Sequence, residues 1–187
     1  MPNLRLFWAL EIGAAARARA AGVAAALREQ PGGRDVRWVR EESLHVTLRF
    51  LGATDPARVA DLEREVDLAT RGIAPFSASL AGALLFPSAR RPRVVALALE
   101  PAVELGALAE RVERGTVAAG FPVEPRAFRP HLTLGRARDS RGVRLAVTGS
   151  VTAHGDAWDV TETVLFRSDL APGGARYTPL ARVPLHP

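Results

Sequence analysis

The chain has 187 residues, enough for a domain with a substantial core, and 48% of them are hydrophobic. Its formal net charge is +5, every basic residue is Arg, and Lys and Cys do not occur. These absences exclude disulfides, thiolate zinc sites, a cysteine nucleophile, Schiff-base chemistry, a Walker P-loop and the lysyl-nucleotide intermediate of an ATP-dependent ligase.

The basic balance fits an RNA or nucleotide partner, and any anion site must be built from the planar fork of arginine. No apolar run reaches the roughly 18 residues of a membrane span. Met1–Leu10 lacks the basic start and small-residue cleavage site of a signal peptide, so a cytoplasmic protein with no membrane partner is expected.

Leu4–Leu10 (LRLFWAL) predicts a short buried strand. Ala14–Glu29 is Ala-rich and predicts a helix that Pro31-Gly32-Gly33 ends. Val36–Val39 and Leu44–Leu51 alternate as strands, the second closed by Gly52. Pro56–Thr70 carries a helical stripe of Val59, Leu62, Val66 and Ala69. Phe76–Phe86 and Val94–Leu99 predict two strands, joined by an arginine- and proline-rich connection. Arg90, Arg91 and Arg93 in that connection suit either a solvated loop or a guide for an RNA strand.

Val103–Ala119 predicts a helix, and His131–Leu134 a strand ended by Gly135. Residues 137–157 leave a short helix, a strand and a loop open. Trp158–Asp169 alternates as one strand, and Arg176–Leu185 as a last extended segment. The element order roughly recurs in the second half. It predicts an α+β fold of two similar lobes, each an antiparallel sheet backed by helices. Trp8, Trp38 and Trp158 are expected in the core.

One motif occurs twice. His45-Val46-Thr47-Leu48 and His131-Leu132-Thr133-Leu134 share the pattern His, aliphatic, Thr, Leu. With four His and ten Thr in the chain, two such His-x-Thr hits arise by chance roughly once in sixty. Strand residues two apart share a face, so each motif presents an imidazole beside a hydroxyl and buries its aliphatic residues on the other side. His154 and His186 lack this context.

Two imidazoles and two hydroxyls suit phosphodiester cleavage. A neutral His takes a proton from the attacking oxygen, and a protonated one gives a proton to the leaving oxygen. Thr47 and Thr133 can donate to non-bridging phosphate oxygens. Ideal alternation places Arg49 on the His45 face and Arg129 on the His131 face, as first candidates for phosphate binding. Arg136 falls on the opposite face unless Gly135 ends the alternation. Neither metal nor cofactor is expected, because no His or carboxylate cluster has ligand spacing.

These residues resemble the 2H phosphoesterases, specifically the RNA 2′,3′-cyclic phosphodiesterases once called 2′-5′ RNA ligases (the LigT/ThpR-like group). The resemblance runs through WVREESLHVTLRFLG at 38–52, FRPHLTLGRAR at 128–138 and LFRSDLAPGGARYTPLARVPL at 165–185, and is weakest at 139–157. It implies a single domain over 1–187, with two pseudo-symmetric, intertwined lobes whose His-x-Thr-x strands face a central cleft. It implies hydrolysis of an RNA 2′,3′-cyclic phosphate to a 2′-phosphomonoester, with His45 as general acid, His131 as general base, and Thr47 and Thr133 holding the phosphate. The expected partners are RNA ends or nucleotides bearing the cyclic phosphate, with the protein acting as a monomer. Alternatives are 2′-5′ RNA ligation, hydrolysis of a small cyclic nucleotide, and a non-catalytic RNA-binding module.

Overall fold

The computed structural model describes residues 2–88, 92–139, 142, 143, 145, 152–171 and 174–187. Arg90, Arg91 and most of 140–151 lie outside these residues, as does the side chain of His154.

Among the described residues, nine strands form two antiparallel sheets. They are β1 (Leu4–Leu10), β2 (Val36–Trp38), β3 (Val46–Thr54), β4 (Phe76–Phe86), β5 (Val94–Glu100), β6 (His131–Ala137), β7 (Thr152–Val160), β8 (Glu162–Ala171) and β9 (Gly174–Pro184). Sheet A has the order β3-β1-β8-β9, and sheet B the order β2-β6-β5-β4-β7. Apart from the short β2, the two sheets share one plan. A motif strand (β3 or β6) lies beside a central strand (β1 or β5), followed by two more strands. The plan draws on both halves of the chain, since β4 completes sheet B while β8 and β9 complete sheet A.

Helices α1 (Ala14–Arg28), α2 (Val59–Thr70) and α3 (Ala102–Ala118) cover the sheets. The buried stripe of α1 is Ala16, Ala20, Ala24 and Leu27, at helical spacing. Its small side chains let α1 lie close to sheet B, against β7, β6 and β4. At its entry, a Cβ on Gly13 would sit 2.7 Å from Trp158 Cβ. Helix α2 buries Leu62 and Val66, and packs on β9 and on α3. The crossing of α2 and α3 depends on Gly115, where a Cβ would meet Glu65 O and Val66 Cα at 2.7 Å. Asp55 caps the short turn Pro56–Arg58 that leads into α2, accepting from Ala57 N at 3.0 Å.

The central strand β1 is buried on both sides. Leu6, Trp8 and Leu10 enter the main core. Phe7 and Ala9 join Val164, Phe166 and Tyr177 in a smaller cluster on the other side. Trp8 and Trp158 are buried, and Trp38 packs on the core while its Nε1 donates to Gly33 O at 2.9 Å.

Three boundaries differ from the sequence expectation. Gly52 and Gly135 do not end their strands; both lie inside them. Trp158–Asp169 is two strands, because β7 ends at Val160 in sheet B and β8 begins at Glu162 in sheet A. Alternation carries no mark of a change of sheet, and β8 has a run of buried residues, Thr163–Phe166, because it too is covered on both faces. In the stretch left open, a strand starts at Thr152.

Candidate active site

The two motif strands meet across a groove between the sheets. Each motif is interrupted at the same point. In the β1–β3 pairing, Ala9 lies opposite Thr47 and Trp8 opposite Arg49, so one step on β1 matches two on β3. In the β5–β6 pairing, Ala96 lies opposite Thr133 and Val95 opposite Gly135. Both are β-bulges directly after the motif threonine. An extra residue reverses the alternation beyond it.

The bulges decide which residues reach the groove. On β3, Phe50 turns in beside Thr47 and borders both cavities of the groove, whereas Leu48 and Arg49 border only the one on the His131 side. On β6, Gly135 takes the turned-away place and Arg136 enters beside Thr133. Phe50 and Arg136 thus hold equivalent positions, five residues after each histidine.

Arg49 lies on the wall of the His131-side cavity, held by ion pairs and hydrogen bonds. Its side chain is 8% exposed and forms an ion pair through Nε with Glu113 on α3. Its other nitrogens donate to Phe50 O and Pro122 O, and Nη1 lies 3.5 Å from Glu124 Oε2. Four of its five N–H donors are thus directed at protein acceptors. Arg129 does border the groove near His131 as expected, with its guanidinium 4.9 Å from the Phe86 ring centre. Arg136, which ideal alternation places on the opposite face, borders both cavities because the bulge brings it in.

His45 sits just ahead of β3. Its Nδ1 is 2.8 Å from Ser43 O and its Nε2 is 3.0 Å from Thr47 Oγ1. A carbonyl only accepts, so Nδ1 carries the hydrogen and Nε2 is the basic nitrogen, with Thr47 donating to it in the neutral state. His131 repeats the arrangement, its Nδ1–H donating to Arg129 O at 2.7 Å. In both motifs the accepting carbonyl lies two residues before the histidine. Rings flank each imidazole: Phe7 and Tyr177 have centroids 4.9 Å from that of His45, and Phe86 lies 4.9 Å from His131.

Burial makes both imidazoles poor cations. Desolvation pushes His45 down to about 4, helped by the charges of Arg136, Arg17 and His131 and opposed by the Ser43 carbonyl. His131 is lowered too, first by burial and then by Arg136 and Arg129, against the Arg129 carbonyl. Burial raises Tyr177, while Arg136 and Arg5 oppose it. The charge of Arg136 therefore acts on all three groups.

Two cavities, of about 440 and 600 Å³, make up the groove. The first contains His45, Phe7 and Tyr177, and the second His131, Phe86 and Arg129. They join at Thr47, Phe50, Thr133 and Arg136, which border both. Two hydroxyls and a guanidinium, donors of the kind that a phosphate accepts from, thus lie in a groove with one imidazole in each of its cavities. Among the described residues, no three His, Cys, Asp or Glu side chains are grouped to hold a metal ion.

This pairing of His–Thr units marks a phosphoesterase of the two-histidine class. A family model described as "LigT like Phosphoesterase" matches the chain twice in succession, over residues 10–96 and 97–177, so each half of the chain matches the model separately. The chain belongs to the LigT-like phosphoesterases, and is a hydrolase.

A curated relative from Methanothermobacter thermautotrophicus, named RNA 2′,3′-cyclic phosphodiesterase, is 36% identical over 146 residues, covering 76% of this chain and 79% of its own length. A relative of the same name from Geobacillus stearothermophilus is 30% identical over 79% of this chain, and the aligned part spans 47% of that longer protein. Escherichia coli LigT, solved with 3′-AMP, superposes with a TM-score of 0.79 at 28% identity and 99% coverage of both chains.

Proposed function

We propose that this protein hydrolyses RNA 2′,3′-cyclic phosphate ends to 2′-phosphomonoesters, without a metal ion, using His45 and His131 as its two proton carriers. The observation that carries this is the shared strip of Thr47, Thr133 and Arg136 lying between the two imidazoles. The names of the relatives and the nucleotide complex of the E. coli homologue support the substrate class.

In the proposed reaction the cyclic phosphate lies on that strip. The Arg136 guanidinium and the two threonine hydroxyls donate to non-bridging oxygens, where negative charge grows as water adds. Thr47 must then turn from His45 Nε2 to the phosphate, which frees that nitrogen. One imidazole removes a proton from the attacking water as the new P–O bond forms. The other protonates O3′ as the P–O3′ bond breaks. The products are a 2′-phosphomonoester and a free 3′-hydroxyl, and solvent returns the two histidines to their starting states. Resemblance to the 2H enzymes gives the acid role to His45 and the base role to His131. The desolvated ring of His45 is a strong acid once protonated, and the anionic substrate supplies the counter-charge that lets it take up the proton.

The test is hydrolysis of a 2′,3′-cyclic-ended RNA oligonucleotide, with product identification. Turnover is expected to persist in EDTA and to vanish in His45→Ala and in His131→Ala. Near-normal turnover in either variant, or loss on chelation, overturns the mechanism. Both imidazoles are depressed in the free protein, so kcat/KM should peak below pH 6.5, and kcat, which reports the anion-bound enzyme, at higher pH. The bell has the same shape whichever histidine is the acid, so it tests the pair and not the division of roles.

A further inference from the structure

Each histidine is delivered by a stretch of backbone that an arginine from the opposite lobe holds. Ahead of His45, the short turn Glu41–Ser43 leads into sheet A. Arg17 grips this turn from α1, the helix that packs on sheet B. Its Nη1 donates to Glu41 O at 2.9 Å and Leu44 O at 3.2 Å, and its Nη2 reaches Ile12 O at 3.4 Å. Between the two gripped carbonyls lies Ser43, whose own carbonyl orients His45.

Ahead of His131, residues 121–130 lead into sheet B without a regular element. Arg49 grips them from β3 of sheet A. It donates to Pro122 O, pairs with Glu124, and is tied by Glu113, whose second carboxylate oxygen accepts from Glu124 N at 2.8 Å. The same stretch ends in Arg129, whose carbonyl orients His131. A guanidinium can serve several fixed acceptors at once, which a lysine ammonium on its flexible stem cannot do in the same geometry.

We infer that Arg17 and Arg49 are positioning residues, each fixing from the far lobe the backbone that aims one imidazole at the shared phosphate. The arrangement ties the aim of each histidine to the docking of the two lobes, so that the distance between the two proton carriers is set reciprocally. The inference rests on the two-histidine reading above, and the histidine rings can be observed independently of turnover.

The experiment compares wild type with Arg17→Met, Arg49→Met and Arg49→Lys by ¹⁵N NMR of the histidine rings, alongside steady-state hydrolysis of a 2′,3′-cyclic nucleotide. Arg17→Met is expected to reduce the Nδ1–H tautomer of His45 and leave His131 unchanged, and Arg49→Met to do the reverse. Each should lower kcat by roughly 10²-fold, the cost of misplacing a reacting group by about 1 Å. KM should stay within about twofold, since the loss falls in the transition state. Arg49→Lys should fail to restore either readout.

Equal disturbance of both rings by both variants would make the arginines general scaffold and overturn the proposal. So would full turnover in Arg49→Lys, or a loss confined to KM, either of which would make Arg49 a phosphate ligand. If Arg49→Met does not fold, Glu113→Gln weakens the same link and is read in its place. If wild type cleaves no cyclic phosphate, the ring signals still decide the positioning role while the reaction assignment fails.

Discussion

The charge of Arg136 depresses His45 and His131 and opposes the rise of Tyr177, so its removal has a signed effect. In Arg136→Met both imidazoles should hold protons more readily. The kcat/KM bell should then move to higher pH, while KM rises because the phosphate loses its guanidinium partner; a pH series with a cyclic nucleotide checks both. Thr47→Ala and Thr133→Ala should cost on the order of 10²-fold or less in rate, as hydrogen-bond donors and not proton carriers. A loss as complete as that of the histidine variants would show their role misread. At this scale the sequence was legible where alternation holds, which is why His45, Thr47, His131 and Thr133 all border the groove. It misled past each threonine, where the bulge carries Phe50 and Arg136 to the strip that borders both cavities and leaves Arg49 on the second alone. Nothing local in Leu48-Arg49 announces a bulge, because the extra residue is defined by pairing with β1, some 40 residues away.

The matched bulges belong to the elements rather than to single residues, and Gly135 shows why the second one can form. A Cβ there would meet Val36 Cγ1 at 2.4 Å and Arg37 O at 3.1 Å on the neighbouring β2. Gly135→Ala is expected to push β2 aside, destabilise the protein by about 1–3 kcal/mol, and raise KM by re-aiming Arg136. A Cβ on Gly22, in the middle of α1, would meet nothing within 4 Å. Gly22→Ala should therefore stabilise by about 0.5–1 kcal/mol through helix propensity alone, and urea midpoints of the two variants provide the contrast. Helices α1 and α3 and strand β1 were readable to within a residue or so, because their apolar spacing is local. The division of Trp158–Asp169 between two sheets was not, because both pieces alternate and only their partners differ.

For the molecule as a whole, the partly buried His45 links the groove to acid stability. The unfolded chain titrates His45 near 6.5, and the folded state holds it down to about 4. The neutral ring therefore carries no penalty above pH 6.5. As pH falls from 6.5 toward 4, the unfolded chain binds a proton that the native site refuses, and stability drops by up to about 3 kcal/mol. His131 adds to the loss in the same direction. Comparing urea midpoints at pH 7 and pH 4.5 should show a smaller fall in His45→Gln than in wild type. The two-lobed α+β architecture was readable from element order and the repeated motif. Its exchange of strands between halves was not, since a repeat in sequence does not say which copy completes which sheet.

That exchange bears on how the chain is made. Strand β1, residues 4–10, is the centre of sheet A, yet one of its two neighbours is β8, at 162–171, which in turn pairs with β9 up to Pro184. During synthesis β1 must wait with one bare edge while some 150 further residues leave the ribosome. The His45 half of the groove is thus finished only after β8 and β9 have emerged, so the proposed centre stays incomplete until the chain is nearly all made.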